Sequence, residues 1–187
     1  MSGAAAKVVS VNVGRERLVP WRGRMIPTGI FKEPVAVRIS VRDDRVEGDT
    51  VADLRVHGGW SKAVYAYPAE HYAFWREELP GHDLPWGTFG ENLTTEGLRE
   101  DGVAIGERFR IGSAELEVTE PRLPCFKLGI KVGRPDMVKR FLESRRTGFY
   151  LAIVHPGDVG AGDVIERLGR PDDGPTVADR VRAAAGE

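Results

Sequence analysis

A single cysteine, Cys125, stands in a chain of 187 residues. One thiol excludes an intramolecular disulfide, an all-cysteine zinc site and a self-contained iron–sulfur cluster, which takes roughly four thiolates. Histidine is almost as sparse. The four, His57, His71, His82 and His155, show neither zinc-ligand spacing nor an HExxH pattern, which argues against a protein-ligated zinc. No apolar run approaches the ~20 residues that span a bilayer, and the opening Met-Ser-Gly-Ala-Ala-Ala-Lys lacks the apolar core of a signal peptide. The expectation is a cytoplasmic protein, with no membrane partner and Cys125 reduced. An excess of charge is missing too. With 27 basic and 28 acidic residues the net charge is -1, so overall electrostatics predict no nucleic-acid partner. A Walker loop and a GxSxG elbow are absent, and the GxxGxG of residues 157 to 162 has no strand–helix unit after it to make a dinucleotide-binding turn.

What is present fits one soluble domain. The hydrophobic fraction is 41% and the charged fraction 29%, and this length buries a core without staples. Period-two alternation recurs. Val9, Val11 and Val13 share a face. So do Val35, Val37, Ile39 and Val41, with Ala36, Arg38 and Ser40 opposite. Phe109 with Ile111, Leu116 with Val118, and Phe149 with Leu151 and Ile153 repeat the scheme. Short alternating segments between glycines and prolines predict antiparallel strands in a barrel or sandwich. Two segments read as helices: Tyr72, Trp75 and Leu79 after Pro68, and Met137, Val138, Phe141 and Leu142 after Pro135. Pro171-Asp172-Asp173-Gly174-Pro175 marks a linker. Beyond it Thr176 and Asp179 start a short helix that packs weakly or frays. The domain therefore covers residues 1–169, and residues 170–187 form a linker and helical tail.

Three segments could carry chemistry. Cys125 lies in Glu-Pro-Arg-Leu-Pro-Cys-Phe-Lys-Leu, flanked by prolines, with Arg122 before it and Lys127 after. Positive charge favours the thiolate, the form that attacks electrophiles and binds soft metals; the alternative is a cysteine packed in a turn. In His57-Gly58-Gly59-Trp60-Ser61-Lys62, after the strand-like run 52–56, paired glycines and a lysine suit an anion such as a phosphate, or simply turn a hairpin. In Phe89-Gly90-Glu91-Asn92-Leu93, Glu91 and Asn92 offer acceptors and donors to a heterocycle, or satisfy turn backbone. Lys32, leading into the strand at Val35, points into a cavity or into solvent. Tyr150, opposite its strand's apolar set, reaches the same cavity or sits satisfied in the core.

Taken in order, Val-Ser-Val-Asn-Val-Gly (9–14), Thr-Gly-Ile-Phe-Lys-Glu-Pro-Val (28–35), His-Gly-Gly-Trp-Ser-Lys-Ala-Val (57–64), Tyr-Pro-Ala-Glu-His-Tyr (67–72), Phe-Gly-Glu-Asn-Leu (89–93) and Pro-Arg-Leu-Pro-Cys-Phe-Lys-Leu (121–128) resemble the MOSC family, the domain related to the molybdenum cofactor sulfurase C-terminus, in its bacterial YiiM-type branch. The likeness runs from about Val8 to Leu168. It departs at the end, where members commonly continue into a longer helical region than Val177 to Ala185. The resemblance implies a mainly β fold: a closed MOSC-type β-barrel with a few peripheral helices, here with a short C-terminal helix. It implies a molybdenum cofactor (molybdopterin), with Cys125 matching the position that binds molybdenum or carries sulfur. Lys32, Lys62, Arg122 and the Gly58–Gly59 pair would serve the pterin phosphate; His57, Glu91 and Asn92 would orient the pterin.

The reaction implied is reduction of N-hydroxylated compounds, such as N-hydroxylated purine analogues. Because the chain has no recognisable flavin or iron–sulfur site, a separate reductase must deliver the electrons. A homodimer stays open. The alternatives are a sulfur carrier working through a Cys125 persulfide, and a non-catalytic pterin- or anion-binding protein.

Overall fold

The computed structural model describes residues 5–50 and 58–186. Along the chain run β1 (Lys7–Val13), β2 (Arg17–Trp21), β3 (Arg24–Thr28), β4 (Glu33–Val35), β5 (Ile39–Arg42), β6 (Arg45–Val46), a 3-10 turn (Trp60–Lys62) and β7 (Val64–Pro68). Then follow α1 (His71–Glu78), β8 (Leu93–Glu96), β9 (Arg108–Ile111), β10 (Ala114–Pro121), α2 (Phe126–Val132), α3 (Met137–Ser144), β11 (Phe149–His155), β12 (Gly157–Val159), β13 (Ile165–Gly169) and α4 (Val177–Ala184).

The fold is mainly β with four helices, in three open sheets among the described residues. Eight strands form the principal sheet in the order β13-β9-β10-β11-β7-β8-β1-β4. Its pairings are antiparallel apart from β7 with β8. A three-stranded sheet β12-β5-β6 and the two-stranded hairpin β2-β3 complete it. Among the described residues the expected closed barrel is not formed. The free edge of β1 is divided: Val11–Val13 pair with β4, while Lys7 meets Val164, at the start of β13, in one isolated bridge. The two ends of the sheet thus approach, but no ladder is left to close them.

Alternation built most of these strands as expected. On β10, Ala114, Leu116 and Val118 are fully buried, while Glu115 and Glu117 stand directly opposite Arg110 and Arg108 of β9. Such cross-strand opposite-charge pairs each add about 0.2–1 kcal/mol. The run Val35–Val41 is not one strand. The chain leaves β4 in the large sheet and enters β5 in the small one. Val37 at this crossing is 65% exposed, while Arg38 ties the crossing to Asp163 at 2.7 Å. A period-two pattern records faces but not a change of sheet.

A second core, rich in aromatic rings, lies between the large sheet and helices α1 and α3. Trp75 stacks on Phe141 with centroids 5.6 Å apart, and the Trp75 indole N–H donates to the Tyr67 hydroxyl at 2.6 Å. Trp75→Ala would cost about 3–5 kcal/mol. The two expected helices are α1 and α3, although Leu142 of α3 is 42% exposed; the apolar stripe there is narrower than its sequence. Helix α4 starts at the expected cap: Thr176 Oγ1 accepts from the Asp179 N–H at 3.1 Å and Asp179 accepts from the Thr176 N–H at 2.8 Å. Val177 and Val181 are buried in the main core, because the Val177 N–H binds the Val103 carbonyl at 2.9 Å and holds the first turn against the sheet.

Candidate active site

One cleft gathers residues from segments more than a hundred positions apart. It encloses about 640 Å³ of empty space, counted out to where it opens to solvent. One wall is the segment after β3, with Thr28, Gly29, Ile30 and Lys32; Asp49 and Thr50 lie beside it. Gly29 makes this wall possible, since a Cβ there would come within 1.8 Å of the Thr50 carbonyl oxygen. The other wall holds Lys62, Tyr65, Arg122, Cys125, Lys127 and Tyr150, and Asn92 also faces the cleft.

Pro121 ends β10 and Pro124 keeps the residue before it extended. Cys125 follows at the N-cap position of α2, with φ −119° and ψ 170°. Its carbonyl accepts the Leu128 N–H at 3.0 Å, but its thiol makes no capping bond. The sulfur is therefore half-buried at the cleft and uncommitted to the helix. Short helix α2 was not expected from the sequence; Phe126, its first residue, stacks on Trp21 at 5.1 Å.

Arg122 is 6% exposed. Its backbone N–H is held by the Gly148 carbonyl at 3.2 Å. Its guanidinium lies over the rings of Tyr65 and Phe141, at 5.3 and 5.4 Å, and its charge acts on the Tyr150 phenol. Burial raises the Tyr150 phenol above its ordinary value, opposed by the Arg122 charge. One guanidinium nitrogen, Nη1, is buried without a hydrogen-bond partner. An unpartnered buried donor costs about 1–3 kcal/mol, and an anion in the cleft offers the partner it lacks.

Lys32 has a different situation. Its ammonium pairs with both carboxylate oxygens of Asp49, and the side chains are only 9% and 6% exposed. Burial lowers the Lys32 ammonium below its ordinary value, with Asp49 opposing the shift. Asp49 also accepts from the Gly14 N–H at 2.8 Å and the Asn92 amide at 2.9 Å. The Asn92 carbonyl in turn accepts the Tyr65 N–H at 3.1 Å. Lys32 and Asn92 thus reach the cleft as members of a neutralised, hydrogen-bonded network.

The other candidates separate. Lys62 lines the cleft, with Glu120 at 4.0 Å. Gly58 and Gly59 are not in its wall; Gly59, at φ 82°, caps the 3-10 turn that carries Lys62. Glu91 faces away from the cleft and is fully buried. It accepts from the Tyr72 hydroxyl, the Gly87 N–H at 2.8 Å, the Phe89 N–H at 3.1 Å and the Thr94 hydroxyl at 2.9 Å, and so folds the 87–94 loop that presents Asn92. Burial raises its carboxyl above the usual range despite these donors. His57, and the strand-like run 52–56 before it, lie outside the described residues. Asp49 and Tyr65 escaped the sequence reading. Asp49 sits in an unremarkable Glu-Gly-Asp-Thr turn, and its value comes from partners distant along the chain: Lys32, Gly14 and Asn92.

A model of the MOSC domain matches residues 53–166, more than half of the chain. The chain belongs to the MOSC domain family, in its YiiM-like branch. The uncharacterised protein YflK of Bacillus subtilis is 42% identical over 170 residues, 91% of this chain and 76% of YflK. Protein YiiM of Escherichia coli is 35% identical over 149 residues, 79% of this chain and 66% of YiiM. A protein named reductase from Gibberella moniliformis is 40% identical over 152 residues, 80% of this chain but 27% of that protein. The crystal structure of YiiM from Geobacillus stearothermophilus superposes with a TM-score of 0.77 at 30% identity, covering 96% of this chain and 83% of that one. Molybdenum-cofactor association is the general property of the MOSC domain. No helix among the described residues is long and apolar enough to cross a membrane.

Proposed function

We propose that this MOSC protein is a molybdenum-cofactor-dependent reductase of N-hydroxylated compounds. The observation that carries the reading is the pairing of Cys125 with the buried, incompletely bonded Arg122 in one cleft. A thiolate is a soft ligand suited to molybdenum. A guanidinium with a spare donor suits a phosphate. The residues therefore fit the cofactor: Cys125 would hold the metal, and Arg122 with Lys62 and Lys127 would hold the phosphate. Lys32 contributes little net charge, because Asp49 already answers it. When bound, the cofactor supplies a two-electron metal centre.

The protein's own part is positioning and proton supply. The overall reaction, R–NHOH plus two electrons and two protons giving R–NH2 and water, breaks one N–O bond. The Tyr150 phenol, kept protonated by burial, and the Lys32 ammonium both face the cleft and can hold protons beside the departing oxygen. The Gibberella relative's name, reductase, supports this class of reaction.

The decisive experiment is elemental analysis for molybdenum, beside pterin fluorescence, on wild type and Cys125→Ser purified from a cofactor-competent host. It is followed by turnover of an N-hydroxylated aminopurine with a chemical reductant. Metal and pterin in the wild type, with metal lost in the variant, is the expected result. Neither component after loading overturns the proposal, and a one-sulfur mass increase on Cys125 with a sulfur donor would then favour persulfide transfer. Cofactor retained in full by a Cys125→Ala variant, without turnover in either protein, would favour a binding protein.

A further inference from the structure

Two buried titratable side chains stand behind the cleft wall without entering it. Glu100, in the turn after β8, and His71, the first residue of α1, are 5% and 6% exposed. His71 Nε2 and Glu100 Oε2 meet at 2.7 Å. Neither is among the residues that line the cleft. Burying a carboxylate is costly unless it is paired and hydrogen-bonded, so the partner of its second oxygen matters. Glu100 Oε1 accepts the Gly148 N–H at 2.7 Å. The Glu100 backbone is fixed as well, since its carbonyl accepts the Ala178 N–H of α4 at 3.0 Å.

Gly148 precedes β11, which enters the large sheet between β10 and β7. Arg122 follows the end of β10, and Tyr65 lies on β7. The φ of Gly148 is 64°. A Cβ there would come within 2.4 Å of the Ala66 carbonyl oxygen and 2.9 Å of the rings of Tyr65 and Tyr67. This left-handed, crowded residue gives its N–H to Glu100. Three successive carbonyls of the segment then each hold a neighbour. Arg146 accepts the Tyr67 hydroxyl at 3.1 Å, and Thr147 accepts the Tyr65 hydroxyl at 2.7 Å. Gly148 accepts the Arg122 N–H at 3.2 Å.

Arg122 depends on such a frame. Its guanidinium is packed against the rings of Tyr65 and Phe141, and Nη1 has no hydrogen-bond partner. Where that spare donor points is set by the Arg122 backbone and by the Tyr65 ring, and both hang on residues 147 and 148. We infer that Glu100, oriented by His71, is a positioning residue for Arg122: by holding the Gly148 amide it sets where the guanidinium meets an anion in the cleft. The inference rests on the proposed reading of Arg122 as a phosphate-binding group. Glu100 touches neither cofactor nor substrate and acts through the backbone. The device needs a side chain of the right length, since one end must reach Gly148 while the other meets His71. Glutamine satisfies it, with its carbonyl on the Gly148 N–H and its NH2 on Nε2 of the His71 tautomer that accepts there. Aspartate, one methylene shorter, cannot reach both.

The test compares wild type, Glu100→Asp and Glu100→Gln by calorimetry, with pyrophosphate as the probe, and by heteronuclear NMR of the arginine side chains. The Arg122 Nε–Hε resonance is shifted by the two rings against the guanidinium and is assigned by its loss in Arg122→Met. It reports position whether or not an anion is bound. Glu100→Asp should weaken pyrophosphate binding about tenfold, within the ~100-fold that a misplacement of ~1 Å can cost, and should move the Arg122 resonance. Glu100→Gln should restore both. Urea unfolding gives the stability of each variant, and binding is measured where each is folded. A less stable Glu100→Asp with affinity within about twofold of wild type and an unmoved Arg122 resonance overturns the inference and leaves Glu100 a structural tie. A Glu100→Gln as impaired as Glu100→Asp also overturns it, because the buried charge would then act in place of the Gly148 bond. A wild type that binds no pyrophosphate counts against the phosphate reading of Arg122 instead, and the resonance alone then decides the positioning. If circular dichroism shows Glu100→Asp unfolded, His71→Gln takes its place, since it presents a donor to Glu100 from a shifted position. It must move the same resonance, and an unmoved one overturns the inference.

Discussion

Replacing Asp49 by asparagine should destabilise the protein more than any other isosteric change in the cleft wall. Asp49 serves three donors: the Lys32 ammonium, the Gly14 N–H and the Asn92 amide. An asparagine has one acceptor oxygen and must turn its own NH2 toward one of these donors, while the buried Lys32 charge loses its counter-ion. Removing one partner of a buried pair costs about 3–5 kcal/mol, against a total stability of roughly 5–15 kcal/mol. With a urea m-value of about 2 kcal/mol/M, the midpoint should fall by ~1.5–2.5 M. Lys32→Met leaves Asp49 with its two other donors and should cost less. The double variant Asp49→Asn/Lys32→Met carries no stranded cation, so it should be more stable than the sum of the singles by about 1–3 kcal/mol. The assay is urea unfolding of the four proteins at pH 7. An Asp49→Asn cost below about 1 kcal/mol, with singles that add to within ~0.5 kcal/mol, would refute the coupled pair.

Arg122→Met exchanges an incompletely bonded cation for an apolar side chain of similar length. Loss of the ring contacts with Tyr65 and Phe141 offsets removal of the orphan donor, so stability should change by no more than about 1–2 kcal/mol. Added pyrophosphate should raise the Tm of wild type but not of this variant. Lys131, half-buried against the Phe31 ring at 5.3 Å, has its ammonium lowered to about 8, chiefly by burial. Its folded value lies below its ordinary 10.5, so the unfolded chain holds the proton longer. The burial cost is present in full below pH 8 and is relieved as pH rises from 8 toward 10.5. Mass-spectrometric mapping after brief acylation at pH 8 should therefore find Lys131 modified well ahead of exposed Lys139, and Lys131→Met should flatten the rise in stability over that range.

The candidate site was legible as far as local chemistry reaches. Cys125 between prolines, with Arg122 and Lys127 near it, named one wall of the cleft, and Lys32, Lys62 and Asn92 also reach it. What one-dimensional reading missed was who answers whom. Lys32 reads as an available cation until Asp49 is seen beside it. Glu91 reads as a ligand for a heterocycle until four donors are found to occupy it, and the 58–59 glycines as a phosphate cradle until they are seen to lie outside the cleft wall, with Gly59 capping the turn that carries Lys62.

The sequence by itself determined most of the inward-facing residues, where α1, α3 and α4 begin, and that the chain has one thiol, because side-chain period, capping and composition are properties of neighbours along the chain. Tertiary structure alone decided that the sheet stays open, that Val35 and Ile39 belong to different sheets, that α4 seals the core, and that Arg122 is left with a donor to spare. Strand partners, ion pairs and desolvation depend on groups separated by tens of residues, and period-two alternation is the same whichever strand lies alongside.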